Sequence, residues 1–217
     1  MPGSLAVPAD LSTAAGCEEA AHRATDALGG VDMLINLAGL MSFCRYEDES
    51  IDRLERLIRV NLVAPMVLTR AVIPTMLARD AGQIVNIGSM FGSIGFAHFA
   101  AYSASKFGLR GFSQALRRET ADTNISVTYV SPRAVRTPIN TDAIIEMNLA
   151  TGTKMDDPEI MANKILHAIE TDAKEAYLGF PESLFARLNG VWPGLVDAGT
   201  RKQTRVARPF AGHTKAF

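Results

Sequence analysis

Two cysteines in 217 residues, Cys17 and Cys44, are too few and too ill-spaced for a disulfide framework or a thiolate metal site. The four histidines, His22, His98, His167 and His213, are scattered without metal-ligand spacing. A positive surplus is missing as well: 22 Lys and Arg against 23 Asp and Glu give a net charge of −1. That excludes the basic footprint of a nucleic-acid binder, so no nucleic acid is expected as a partner. The N-terminus has no basic segment followed by an apolar run, so no secretory signal is read, and a reducing cytoplasm is the default. Arg59, Asn61 and Arg70 interrupt the most apolar region, and no membrane span is expected there. Repeats and low-complexity tracts are absent.

What is present is 47% hydrophobic residues, enough to bury a substantial core in one domain, taken as residues 1–200. The polar, basic stretch 201–217 is expected to be a loose tail. Strand-like and helix-like segments alternate. Leu5–Ala9 reads as a strand. Ser12-Thr13 caps a helix that Gly29-Gly30 ends. Val31–Leu37 is an apolar run, and Glu49–Arg79 is helical, with Pro65 and Pro74 as kinks or local breaks. Gln83–Ile87 is a strand, Tyr102–Thr120 a helix, and Ile125–Val130 a strand. Thr137–Asp156 reads as a long loop, Asp157-Pro158 opens a helix through Ile169, and Ala176–Phe180 is a last short strand. Apolar strands between helices predict an α/β fold with a doubly wound parallel sheet.

The chemistry concentrates in Ala101-Tyr102-Ser103-Ala104-Ser105-Lys106. Tyr102 and Lys106 are four apart at the start of a helix and share one face. An ammonium beside a phenol favours the phenolate and lowers its pKa, which suits Tyr102 to move a proton at a carbonyl or alcohol oxygen. Ser89 lies thirteen residues upstream, just past the run Ile84-Val85-Asn86-Ile87, where its hydroxyl would polarise that oxygen. The glycines at 88, 92 and 95 imitate a phosphate-binding turn. No helix opens directly at them and no acidic residue follows at the required distance, so they are read as the loop presenting Ser89.

With these residues stand Asn36-Leu37-Ala38-Gly39, Asn61 in Arg59-Val60-Asn61-Leu62, Pro132-Arg133-Ala134-Val135-Arg136-Thr137-Pro138 and Asp10-Leu11. Together, over roughly residues 4 to 180, the chain resembles the short-chain dehydrogenase/reductase family. The resemblance implies a Rossmann-like fold, NAD or NADP as cofactor, and a catalytic set of Tyr102, Lys106, Ser89 and Asn61. Lys106 would also hold a cofactor ribose, and Asn61 would hold a water linking Lys106 to solvent. Cofactor contacts carried over are Asp10 and Leu11 at the adenine, Asn36, Ala38 and Gly39 at the adenosine half, and Pro132, Val135 and Thr137 at the nicotinamide. Leu37 stands where the family has a second asparagine, and Arg133 where it usually has glycine.

Relative to that family the chain is N-terminally truncated: it begins at what would be the third strand, without the glycine-rich turn that cradles the pyrophosphate. Two function classes therefore stand. One is a nicotinamide-dependent oxidoreductase of a small apolar alcohol or ketone, whose substrate lid would be the apolar 137–156 segment. The other is an inactive remnant acting by association. A homodimer or homotetramer is expected through the Glu49–Arg79 and Tyr102–Thr120 helices, using Leu62, Val67, Leu68, Val72, Ile73, Phe107, Leu109, Phe112 and Leu116. The apolar cluster from Leu184 to Val196, flanked by Arg201, Lys202, Arg205 and Arg208, is read as core packing in preference to membrane-surface contact.

Overall fold

In a computed structural model of the chain, residues 4–212 are described. Four parallel strands form one sheet in sequential order: β1 (Met33–Asn36), β2 (Gly82–Ile87), β3 (Ile125–Pro132) and β4 (Glu175–Leu178). Helices lie on both faces. Residues of α1 (Ala14–Leu28), α3 (Ala64–Arg79) and α4 (Ala100–Glu119) bury Ala21, Val72, Met76 and Leu116 against Ile84, Ile125 and Val127. On the other face α6 (Pro158–Glu170) sets Ala168 and Ile169 against Val85, Ile87 and Val130. This is a doubly wound, Rossmann-like α/β architecture.

Local chemistry explains the helix ends. The Thr13 hydroxyl accepts from Gly16 N (3.0 Å), and Gly29 closes α1 in the left-handed region, where glycine carries no steric penalty. Asp157 caps α6 by accepting from Glu159 N at 3.0 Å, with Pro158 in the first turn.

The helix expected over Glu49–Arg79 runs without a break from α2 (Ile51–Ile58) through a π turn at Arg59–Val63 into α3. Pro65 has no N–H to give the carbonyl four residues back, that of Asn61, so the hydrogen-bond ladder slips by one residue there. Continuity corrects the membrane reading. Arg59, Asn61 and Arg70 do not interrupt the helix, and its 29 residues are long and apolar enough, by length and composition alone, to cross a bilayer. Leu57, Asn61, Thr69, Val72 and Met76 are buried along it, as in a helix packed on a sheet.

Four further expectations are corrected. Leu5–Ala9 is not a strand: β1 pairs only with β2, and the segment finds no ladder. The stretch 137–156 is not all loop, because Asp142–Thr151 forms α5 and buries Ile144 and Met147 in the core. Residues Arg201–Ala207 are not a loose tail. They complete α8 (Pro193–Ala207), and Ala207 and Ala211 are buried beside Phe43 and Tyr102. The end of that expected tail, residues 213–217 with His213, lies outside the described residues. Val72, Leu109 and Leu116, assigned to association, are spent on the chain's own core, while Phe107 stays 41% exposed.

Candidate active site

The predicted catalytic residues converge at the C-terminal edge of the sheet, where open α/β sheets bind ligands. Tyr102, Lys106, Ser89 and Asn61 are all buried. The Ser89 hydroxyl accepts from Phe91 N at 3.2 Å and lies close enough to the Tyr102 phenol to favour its ionised form. The Lys106 ammonium lies 5.8 Å from the Tyr102 ring centre and donates to Ile87 O at 3.0 Å, at the end of β2. Asn61 is clamped on both sides of its amide: Oδ1 accepts from Leu40 N (2.7 Å), and Nδ2 donates to Leu40 O (2.8 Å) and Ser105 Oγ (3.1 Å). Gly39 passes so close that a Cβ there would lie 3.4 Å from Asn61 Oδ1 and 3.8 Å from Lys106 Nζ.

The electrostatics differ from the expectation in sign. Burial pushes the Tyr102 phenol up to about 12, with the Ser89 hydrogen bond opposing it, and pushes Lys106 down to about 8. Desolvation disfavours both charged forms and is the largest effect on each. Tyr102 is therefore a neutral hydrogen-bond donor at neutral pH.

Tyr129 is a site residue that the spacing of motifs did not expose. Fully buried in β3, it donates from its hydroxyl to Ser89 O at 3.3 Å. Its ring fills the space beneath the Ser89 loop, and a Cβ on Gly88 or Gly92 would fall 2.2 and 2.3 Å from it. These glycines are required for that close approach, which explains glycine spacing without a phosphate. The signal available was an aromatic residue inside an apolar strand, facing a loop with glycines four apart.

The cofactor-side residues divide. Asn36 turns inward: Nδ2 donates to Asn86 Oδ1 (2.8 Å), and Asn86 in turn donates to Ser113 Oγ (2.9 Å). Asn36 Oδ1 is buried without a partner. Leu11, Asn36 and Ala38 share a small cleft of about 70 Å³ with Val60, Pro65 and Leu68. Asp10 does not end a strand. Its carboxylate is occupied locally, accepting from Ser12 N (2.9 Å) and Ser12 Oγ (2.7 Å), which lowers its pKa. Pro132 closes β3, Val135 bridges to Asp156, and Thr137 O accepts from Asn140 N.

Arg133 keeps an ordinary negative φ. It is held by Asp156 through two hydrogen bonds and reaches Phe180 O and Glu182. That ion pair holds the Asp156 carboxyl below its usual range and raises the arginine. Arg133 therefore ties the 132–137 segment to the stretch after β4.

With a sheet-edge tyrosine, lysine and serine in place, the comparisons agree. The short chain dehydrogenase family model matches residues 3–147, and the chain belongs to that family. A ketoacyl reductase of Nostoc sp. is 32% identical over 173 residues, covering 79% of this chain and 60% of the relative. A 3-ketodihydrosphingosine reductase of Bos taurus is 39% identical over 121 residues, 56% of this chain and 36% of its own length. A short-chain dehydrogenase crystal structure from Streptomyces avermitilis superposes with a TM-score of 0.75 at 28% identity, covering 93% of this chain and 78% of that one. The chain thus spans at most about three fifths of these two curated relatives.

The residues fit a nicotinamide cofactor at one end only. The unpartnered Asn36 Oδ1 lies on a cleft too small for a nucleoside, and no glycine-rich turn opening a helix occurs among the described residues. Tyr102, Lys106 and the 132–137 segment would hold the opposite end.

Proposed function

We propose that this chain carries the proton-transfer half of an NAD(P)-dependent oxidoreductase acting on an apolar ketone or alcohol. The observation that carries the reading is the buried Tyr102 phenol, with the Ser89 side chain beside it and Lys106 behind it. A nicotinamide cofactor, when bound, supplies or accepts the hydride. The chain's own groups manage the proton. Ser89 Oγ orients the carbonyl oxygen, and neutral Tyr102 donates to it as negative charge develops. An alkoxide is more basic than a phenol with a pKa of about 12, so transfer runs downhill in the direction of reduction. Lys106, the group that loses its proton most easily here, can restore the phenol. The π turn set by Pro65 holds Asn61 beside Lys106 and Gly39. Phe91, edge-on to Tyr102 at 5.5 Å, gives the site an apolar wall suited to an aliphatic substrate. Apolar ketone classes, including ketoacyl and long-chain keto substrates, are the ones to screen with NADH and NADPH, following cofactor oxidation. Turnover that Tyr102→Phe leaves untouched would remove this reading.

A second reading has its own observation. β1 is the sheet edge, and Met33, Ile35 and Leu37 on its flank are 42%, 44% and 65% exposed. A chain that uses this flank for association, as a homodimer or within a larger assembly, needs no cofactor. Absence of NAD(P)H binding, together with a stable oligomer in sedimentation, would favour it.

A further inference from the structure

Away from Tyr102, three segments line an open cavity of about 310 Å³: the turn at Arg45–Glu47, the loop holding His98, and the end of α8 with Thr204, Arg205 and Arg208. Three arginines against one glutamate leave two positive charges around it. The described ion pairs engage Arg23, Arg53, Arg70, Arg79, Arg110, Arg117, Arg133 and Arg136, and none includes Arg45, Arg205 or Arg208. His98 adds an independent sign: its Nε2 is buried with no hydrogen-bond partner. The residue sits at φ 70°, a left-handed conformation uncommon for a side chain of its size, and its carbonyl is tied to Cys44 N at 3.0 Å. Burial depresses the imidazole pKa, with Arg208 and Arg45 lowering it further and Glu47 opposing them.

The C-terminus of α8 accounts for Arg205 and Arg208 as complements of the helix dipole, but not for Arg45 or His98, which come from other elements. The fully buried Phe43, stacked on Phe99 at 4.7 Å, stands between His98 and the aromatic group around Tyr102. The cavity is therefore separate from the proton-transfer site.

We propose that this cavity binds a phosphoryl group, carried by a small ligand that is neither the hydride cofactor nor the ketone. Arginine forks match phosphate oxygens, and a phosphomonoester brings close to two negative charges at neutral pH. The Thr204 hydroxyl and an imidazolium formed at His98 on binding add donors. The volume is at the lower end of small-molecule sites. A bound anion would also fasten α8 to the loop that leads into α4 and Tyr102.

The test uses inorganic phosphate as probe, with sodium chloride at equal ionic strength as reference, on the chain and on two variants. Arg45→Gln/Arg208→Gln removes two cavity cations, and Arg118→Gln removes an exposed arginine elsewhere. The expected result is a saturable rise in melting temperature, about 3 °C at ten times Kd, retained in Arg118→Gln and lost in the double variant. The His98 ring resonance should titrate at higher pH with phosphate present than without it. No saturable rise, or a rise that survives in the double variant, would overturn the proposal. Neither readout depends on catalysis.

Discussion

The two ends of the sheet contrast. At β2 and β3, Ile84, Val85, Tyr129 and Val130 are fully enclosed, and the groups proposed to move protons are buried beside them. At β1, three of the residues from Met33 to Leu37 present large apolar side chains to solvent, and only Asn36 is buried. Strands in parallel sheets are normally covered on both faces. The difference teaches that enclosure is uneven along this sheet: the candidate proton-transfer residues make their contacts within the described residues, while the β1 flank is left bare.

The contrast is broken most directly at Tyr102. In an extended form that binds cofactor and turns over, Tyr102→Phe keeps the ring packing against Phe91 and removes the hydroxyl, so turnover should fall about 10²–10⁴-fold with cofactor affinity nearly unchanged. Steady-state assay beside a binding titration checks it.

Lys106 comes next. Its folded pKa is about 8 against an ordinary 10.5, so between these values the unfolded chain binds the proton that the folded chain has released. Stability should therefore rise with pH across this window, by about 2–3 kcal/mol from pH 8 to 10. Above 10 the raised Tyr102 works in the opposite sense, because the unfolded phenol ionises first. Urea melts at pH 8 and 10 should show the rise in the parent and its absence in Lys106→Met.

Gly88→Ala should cost about 1–3 kcal/mol, since the new methyl would meet the Tyr129 ring at 2.2 Å in a closed core. A loss of turnover larger than the loss of stability would show that Tyr129 aims Ser89.

On the bare side, effects should be small. NADH and NADPH should bind weakly or not at all. Submicromolar affinity, about −8 kcal/mol or better, would mean that the β1 flank holds a nucleotide unaided. Leu37→Lys should change stability by less than about 0.5 kcal/mol in thermal melts, because its side chain already faces water. A large loss would mean that this flank is covered in solution.

Much of the candidate site was legible because chemistry there is written locally. Tyr102 and Lys106 share a helix face by spacing alone, and Ser89 follows an apolar strand by one turn. Asn61 and Pro65, also four apart, even encode the π turn between them. Less legible were residues whose partners are distant in the chain. Asn36 looked like a ligand contact until Asn86, fifty residues on, claimed its amide. Arg133 looked like a misfit for a glycine position until Asp156 and the turn after β4 closed around its guanidinium. Leu5–Ala9 has strand composition, but a strand requires a neighbour.

By itself, then, the sequence determined the alternation of strands and helices and their caps, and it pointed to the candidate proton-transfer residues, since these follow from periodicity, short spacings and family motifs. Only the tertiary structure decided the charge states. Desolvation is a property of enclosure, and it turned an expected phenolate into a neutral donor with a pKa of about 12. It also decided which apolar residues are core and which remain exposed, because that depends on the helices that happen to lie over each strand.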